Sequence, residues 1–81
     1  MLGNLKGNKK TVGLKQSMKA IEKMAAKEIL IAKDADERVV GRIKDACTKN
    51  NIPIVYVDTM KQLGKACDIE VGAAVVCLLR D

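Results

Sequence analysis

The sequence predicts an α/β fold, a three-layer α-β-α sandwich around a four-stranded mixed sheet. Short runs of β-favouring residues alternate along the chain with segments whose apolar residues recur at helical spacing. Hydrophobic residues make up 48% of the 81 residues, which is enough for one core, and the length fits a single domain over residues 1–81. Tyr56 is the only aromatic residue, so this core must be aliphatic.

The first half of the chain predicts a strand, a long helix and a second strand. Residues 10–12 favour a short strand entering at Gly13, and residues 1–8 favour at most one helical turn, at residues 2–6. A change to helical period predicts the first long helix at about residues 14–24. Its apolar positions are Leu14, Met18, Ile21 and Ala25. Residues 28–32 then predict a strand buried on both faces.

The second half predicts two more helices and two more strands. Asp36 is a suitable N-cap for a second helix ending near Asn50 and Asn51. Its apolar stripe is Val39, Val40, Ile43, Ala46 and Cys47. Residues 53–57 predict a strand, with Pro tolerated at its first position.

A short helix and a final strand complete the predicted order. Asp58 or Thr59 caps this helix. Its apolar residues are Met60, Leu63 and Ala66. Residues 68–71 predict a loop, and residues 73–79, which are apolar throughout, predict a central strand.

The excess positive charge lies in the first third of the chain. Residues 1–27 contain seven Lys and one acid, whereas residues 28–81 contain eight basic and nine acidic residues. Such a concentrated field favours a polyanionic partner and salt-sensitive association. The alternative is an ordinary solvated basic face.

Several classes of function are disfavoured. Three Cys without a CxxC pair, without His and without a secretory leader predict neither a disulfide framework nor a zinc site. Cys47 and Cys77 fall in apolar patterns and are predicted core residues. No apolar stretch reaches the length of a membrane span. We therefore expect a cytoplasmic protein that is not an enzyme and needs no cofactor or metal.

The start of the first long helix carries positive charges, where negative charges are usual. Asp and Glu normally stabilise a first helical turn, but here Lys15 and Lys19 follow Gly13, and no acid occurs before Glu22. Backbone N–H groups, the helix dipole and ammonium groups thus converge, an arrangement suited to phosphate. Gln16 adds a donor and an acceptor that can read a base edge, so all three side chains can point into one groove. For any one Lys alone, a solvated side chain is the simpler interpretation.

If the polyanionic partner is RNA, the near-absence of aromatic residues indicates which kind of RNA the protein binds. Single-stranded RNA is usually recognised by stacking bases on Phe, Tyr or Trp, and regular A-form RNA has a major groove too narrow for a helix. The sequence therefore favours a distorted duplex, opened by bulges or non-Watson–Crick pairs.

Three segments resemble motifs of the ribosomal protein L7Ae/L30e family, and most closely its short bacterial members. They are GLKQSMKAI at residues 13–21, ILIAKDAD at residues 29–36 and LGKACDIEVGAA at residues 63–74, within a match that spans residues 9–79. The resemblance implies an α-β-α sandwich that binds kink-turns, RNA helices bent by a short bulge beside tandem sheared G·A pairs.

The resemblance also implies which residues contact RNA. The helix start would contact the widened major groove through Gly13, Lys15, Gln16 and Lys19. The loop before the last strand would cover the bulged bases through Ile69, Glu70, Val71 and Gly72. The residues alone indicate only a helix-to-strand connection there. Lys33 is implied as a phosphate contact.

The chain departs from the family pattern in two places. Archaeal and eukaryotic members typically have Asn-Glu where this chain has Lys15 and Gln16, so base reading here would be less discriminating and more electrostatic. Asp68 replaces a usual Gly; Asp tolerates left-handed backbone, but its charge would disfavour nearby RNA.

The resulting hypothesis is a non-catalytic, ribosome-associated protein that recognises kink-turn RNA as a monomer, without a small-molecule substrate or a membrane. Whether that RNA is ribosomal, a riboswitch or another stays open. The alternative is a ribosome-associated scaffold or regulatory module without kink-turn specificity.

Overall fold

The computed structural model describes residues 9–80, and these form four strands and three helices in the predicted order. The elements are β1 (Lys10–Val12), α1 (Leu14–Glu22), β2 (Ala26–Ala32), α2 (Glu37–Asn50), β3 (Ile54–Val57), α3 (Met60–Ala66) and β4 (Val75–Leu79). The helical turn predicted at residues 2–6 lies outside the described residues. None of the described helices is long and apolar enough to span a bilayer.

The four strands form one mixed sheet in the order β1-β4-β2-β3. β4 pairs antiparallel with β1 and β2, and β3 pairs parallel with β2. The predicted central position of the last strand is confirmed, and it follows from composition: Val75 to Leu78 are all buried, so both faces of β4 must be covered.

Alternate residues of the central strands supply two separate cores. Ile29 and Ile31 of β2 face α1 and α2, whereas Leu30 and Ala32 face α3. The predicted strand buried on both faces is thus confirmed, as is the three-layer sandwich. Cys47 and Cys77 are core residues with no exposed surface, as predicted.

The helix faces differ in detail from the predicted stripes. In α1 the buried residues are Ser17, Ala20 and Ile21, whereas Leu14 and Met18 are only partly buried. In α2 the prediction for Val39 was wrong, because 37% of this residue is exposed. Small residues at positions 17 and 20 let α1 lie close to the sheet, which moves the larger side chains toward the edge of the interface.

Each helix ends in a left-handed residue that is not glycine. Met24, Asn51 and Asp68 have φ angles of 59°, 56° and 63°. After α1, the Met24 N–H donates to the Ile21 carbonyl and the Ala25 N–H to the Ala20 carbonyl, at 3.0 and 2.8 Å. This pair of hydrogen bonds is a Schellman motif, and it ends α1 at Glu22, two residues before the predicted end.

The two long strands also begin at other residues than predicted. β2 starts at Ala26, because that residue pairs with Leu79 of β4. β4 starts at Val75 and not at residue 73, because the Ala73 N–H donates outside the sheet, to the Met60 carbonyl at 3.0 Å.

The topology brings all three helix starts to one end of the sheet. β1, β2 and β3 all end there, each followed by a helix, and β4 begins there because it is antiparallel to β1 and β2. We call this edge of the molecule the helix-start end.

Candidate nucleic-acid interface

Gly13 fixes the start of α1 to the middle of the sheet. Its φ of 103° and ψ of 157° lie in a region that side-chain-bearing residues rarely adopt, which explains glycine here. The Gly13 N–H donates to the Val75 carbonyl at 2.8 Å, and the Gly13 carbonyl accepts from the Ser17 N–H at 3.0 Å. A Cβ atom added at this position would have no non-neighbouring heavy atom within 4 Å, so the space in front of the helix start is open.

The starts of α2 and α3 are capped by side chains, whereas that of α1 is not. The Asp36 carboxylate accepts from the Arg38 N–H at 2.9 Å, and the Thr59 hydroxyl accepts from the Gln62 N–H at 3.0 Å. At α1, Gly13 offers no side chain and the first turn contains no acid. The positive end of the α1 dipole and its first N–H groups therefore face outward without a carboxylate or hydroxyl to satisfy them.

Lys15, Gln16 and Lys19 are all exposed and form a ridge along the start of α1. Lys15 lines a groove toward α2, Gln16 lines a groove toward β1 and β4, and Lys19 borders both. The three side chains therefore do not share a groove of the protein. They project from the ridge between two grooves, which is a shape that a groove in a nucleic acid can receive.

The loop between α3 and β4 is held against α3. Asp68 has the left-handed geometry expected from the missing glycine, and the Ile69 N–H donates to the Gly64 carbonyl at 3.1 Å. A Cβ built at Gly64 would overlap the Val71 carbonyl oxygen, so the loop backbone lies directly on the helix. This contact turns Val71 outward, where 71% of the residue is exposed.

The loop and the α1 start are neighbours. The loop leads into β4, and Val75, the first residue of β4, accepts the Gly13 hydrogen bond. The structure thus brings the two predicted groups together at the helix-start end: Gly13, Lys15, Gln16 and Lys19 on one side, and Ile69, Glu70, Val71 and Gly72 on the other. Glu70 and Gly72 are exposed, and Ile69 is partly buried against the core under α3.

Lys33 lies at the same end but forms a pair within the protein. It directly follows β2, and its N–H donates to the Val57 carbonyl at 2.7 Å. Its ammonium group lies 3.5 Å from an Asp58 carboxylate oxygen, with both side chains mostly exposed. Such a surface pair is weak, so phosphate can compete for Lys33 only by displacing Asp58.

The sequence did not single out Arg42 of α2, which the fold brings to the start of α1. Arg42 lines the same groove as Lys15 and Lys19. No spacing rule links residues 15 and 42, because their proximity depends on how α1 packs against α2.

Tyr56 lies away from this region. It is on β3, the strand at the opposite edge of the sheet from β1, and the Lys44 ammonium lies 5.6 Å from its ring centroid. The only aromatic ring of the protein thus provides no stacking surface beside α1.

The buried thiols have the properties of core groups. Burial raises the pKa of Cys47 and Cys67, and burial together with neighbouring Cys47 raises the pKa of Cys77 to about 11. These thiols are thus protonated and weakly nucleophilic at neutral pH. Within residues 9–80, no group of three His, Cys, Asp or Glu side chains is placed to share a metal ion.

Comparison with known proteins finds one matching family and relatives that are named as RNA-binding proteins. The profile of the ribosomal protein L7Ae/L30e/S12e/Gadd45 family matches residues 3–81. The chain is 53% identical to RNA-binding protein TTE2299 of Caldanaerobacter subterraneus over 66 residues. This matched region covers 82% of this chain and 80% of the relative. It is 42% identical over 76 residues to RNA-binding protein YbxF of Geobacillus stearothermophilus, covering 94% and 93%.

Solved structures show the same fold. The Giardia lamblia 15.5kD RNA binding protein superposes with a TM-score of 0.89 at 24% identity, over 99% of this chain and 71% of that one. A protein of unknown function from Bacillus halodurans superposes with the same TM-score at 20% identity, over 98% and 83%. At these identities the likeness shows the fold alone.

Proposed function

The chain belongs to the ribosomal protein L7Ae/L30e/S12e/Gadd45 family, and from that premise we propose that it is a non-catalytic protein that binds kink-turn RNA through its helix-start end. The observation that carries the proposal is the start of α1. Its N–H groups lack a side-chain cap, Lys15 and Lys19 flank it, and a hydrogen bond ties it to the strand that the α3–β4 loop enters. The relatives' names support RNA as the ligand.

The two sides of the interface have different roles. The α1 ridge enters a widened major groove, where the helix dipole and the two ammonium groups stabilise phosphate and Gln16 contacts a base edge. The exposed side chain of Val71 supplies apolar surface for a base that leaves the stack, and its neighbour Glu70 can accept hydrogen bonds from base amino groups. A bent RNA presents an open groove and unstacked bases close together, as this surface requires.

We also propose that the protein acts as a single-domain monomer in the cytoplasm, on ribosomal or another structured RNA. The single domain is supported by relatives such as TTE2299 and YbxF, of whose lengths this chain covers 80% and 93%. Lys33 is proposed as a further phosphate contact, weakened by its pair with Asp58.

Titration with three RNAs tests kink recognition. They are a kink-turn, the same RNA with Watson–Crick pairs in place of its G·A pairs, and a plain duplex of equal length. The kink-turn should bind tightest, because only it has both the widened groove and the unstacked bases. Equal affinity for all three would refute kink recognition and favour a ribosome-associated scaffold or regulatory module.

Removal of a ridge lysine tests the binding surface. Lys19→Ala should weaken kink-turn binding by about 1–3 kcal/mol if Lys19 contacts a base, and reduce the salt slope by about 1 if it contacts phosphate. Lys27→Ala is the control, since Lys27 is an exposed lysine near the start of β2, at the opposite end of the sheet from the helix-start end. Wild-type affinity for Lys19→Ala would show that RNA binds elsewhere.

A further inference from the structure

A groove between α1 and α2 continues from the proposed binding surface. Near the start of α1 it has a volume of about 400 Å³ and is lined by Leu14, Lys15, Met18, Lys19, Glu22 and Arg42. A second depression shares Met18, Glu22 and Arg42 and extends along α2 as far as Asn50. The shared residues make the two depressions one continuous groove, with Arg42 at its middle.

Arg42 is an unpaired cation in this groove. It is exposed, and no residue among 9–80 forms an ion pair with it, although Glu22 and Asp45 also line the groove. Arg38, in the preceding turn of α2, is instead paired with Asp36 at 3.2 Å. An exposed guanidinium without a carboxylate partner retains its full capacity for a bidentate bond to phosphate.

The spacing of the cations suits a nucleic-acid strand. Lys15 and Lys19 are one helical turn apart, about 6 Å along the axis. Arg42 lines the same groove from the α2 side. One strand of a duplex carries a phosphate about every 3.4 Å along its axis, so cations that line one groove can contact phosphates of a single strand.

We infer that Arg42 is a phosphate-binding residue, and that the α1–α2 groove receives the backbone of the RNA strand that continues beyond the α1 start. The inference rests on the proposed function, because it extends the same bound RNA past the kink. Asp45, which lines only the second depression, repels phosphate there, so the strand is expected to stay in the part of the groove beside Lys15, Lys19 and Arg42.

The test measures kink-turn affinity at several salt concentrations for wild type, Arg42→Gln, Arg42→Lys and Lys27→Gln. Arg42→Gln and Lys27→Gln each lose one positive charge from an exposed position, but Lys27 lies near the start of β2, at the opposite end of the sheet from the helix-start end. Arg42→Gln should weaken binding about fivefold near 0.15 M salt and lower the slope of log K against log[salt] by about 0.9. Lys27→Gln should leave the slope unchanged, and Arg42→Lys should keep most of the wild-type slope.

The outcomes separate this inference from the proposed function. If wild type discriminates among the three RNAs but Arg42→Gln keeps the wild-type slope, the groove assignment is overturned and the proposed function stands. Equal losses for Arg42→Gln and Lys27→Gln would also overturn it, because they would reflect net charge alone. If wild type does not prefer the kink-turn, both proposals fall. Equal urea midpoints for the four proteins exclude a folding defect.

Discussion

Replacement of Gly64 by Ala should destabilise the protein, although the same replacement at Gly41 should stabilise it. Both glycines lie inside helices, where Ala is favoured over Gly by about 1 kcal/mol. At Gly41 an added Cβ meets nothing within 4 Å, so the whole gain should appear. At Gly64 the Cβ would overlap the Val71 carbonyl oxygen and lie 3.1 Å from its carbon.

The magnitude at Gly64 follows from what must move. The obstacle is loop backbone, which cannot rotate away as a flexible side chain can. Overpacking of this kind costs about 1–3 kcal/mol. Displacement of the loop also strains the bond from the Ile69 N–H to the Gly64 carbonyl, worth about 1 kcal/mol. After the helix gain of about 1 kcal/mol is subtracted, Gly64→Ala should lose about 1–3 kcal/mol, and the two variants should differ by about 2–4 kcal/mol.

Urea unfolding of wild type, Gly41→Ala and Gly64→Ala measures these differences, and thermal unfolding provides a second measurement. Each kcal/mol should shift Tm by about 4–8 °C in a domain of this size. Because the loop carries Val71, Gly64→Ala should also weaken kink-turn binding while leaving the salt slope intact. Equal stabilisation by both substitutions would show that the loop does not rest on α3 as described.

Three further predictions concern the core and the helix ends. Met24→Gly should raise the free energy of unfolding by about 1 kcal/mol in urea titration, because it relieves a left-handed backbone at a residue that is 76% exposed; an unchanged midpoint would argue against the αL geometry. Ser17→Ala should raise it by about 1 kcal/mol, because the fully buried Ser17 hydroxyl has no hydrogen-bond partner among residues 9–80; a loss of more than 1 kcal/mol would reveal a bond to that hydroxyl. Cys77 has a pKa raised from 9.0 to about 11, so the folded state retains its thiol proton when the unfolded chain has lost it. Stability should therefore fall as pH rises from 9 to 11, and native Cys77 should resist thiol labelling at pH 8 until the protein unfolds; rapid labelling of the native state would contradict its burial.

Local sequence patterns were sufficient to predict the helices and strands of this fold, but not the contacts between them. The strand periods and the caps at Asp36 and Thr59 are short-range features, so the order of elements could be predicted from sequence. Ser17 was missed as a buried residue because its burial depends on how closely α1 approaches β4. The early end of α1 was missed because Met24 adopts a conformation that its side chain disfavours.

The candidate site could likewise be predicted from the sequence only in part. The unusual charges at the α1 start were visible in the sequence, because the first helical turn is a local unit. The α3–β4 loop gave no comparable signal, and only the family resemblance drew attention to Val71. The position of Val71 depends on how the loop backbone packs on Gly64 of the preceding helix, which no sequence pattern shows. Arg42 and the Lys33–Asp58 pair depend on tertiary packing and could not be predicted.

The hydrogen bond from Gly13 to Val75 has a consequence for the kinetics of recognition. The bond anchors the α1 tip to an interior strand, so if RNA binds there as proposed, little conformational entropy should be lost at the tip on association. Encounters can then proceed as near rigid-body docking at rates set by diffusion and steering. Differences in affinity between RNAs should accordingly be found in the lifetime of the complex.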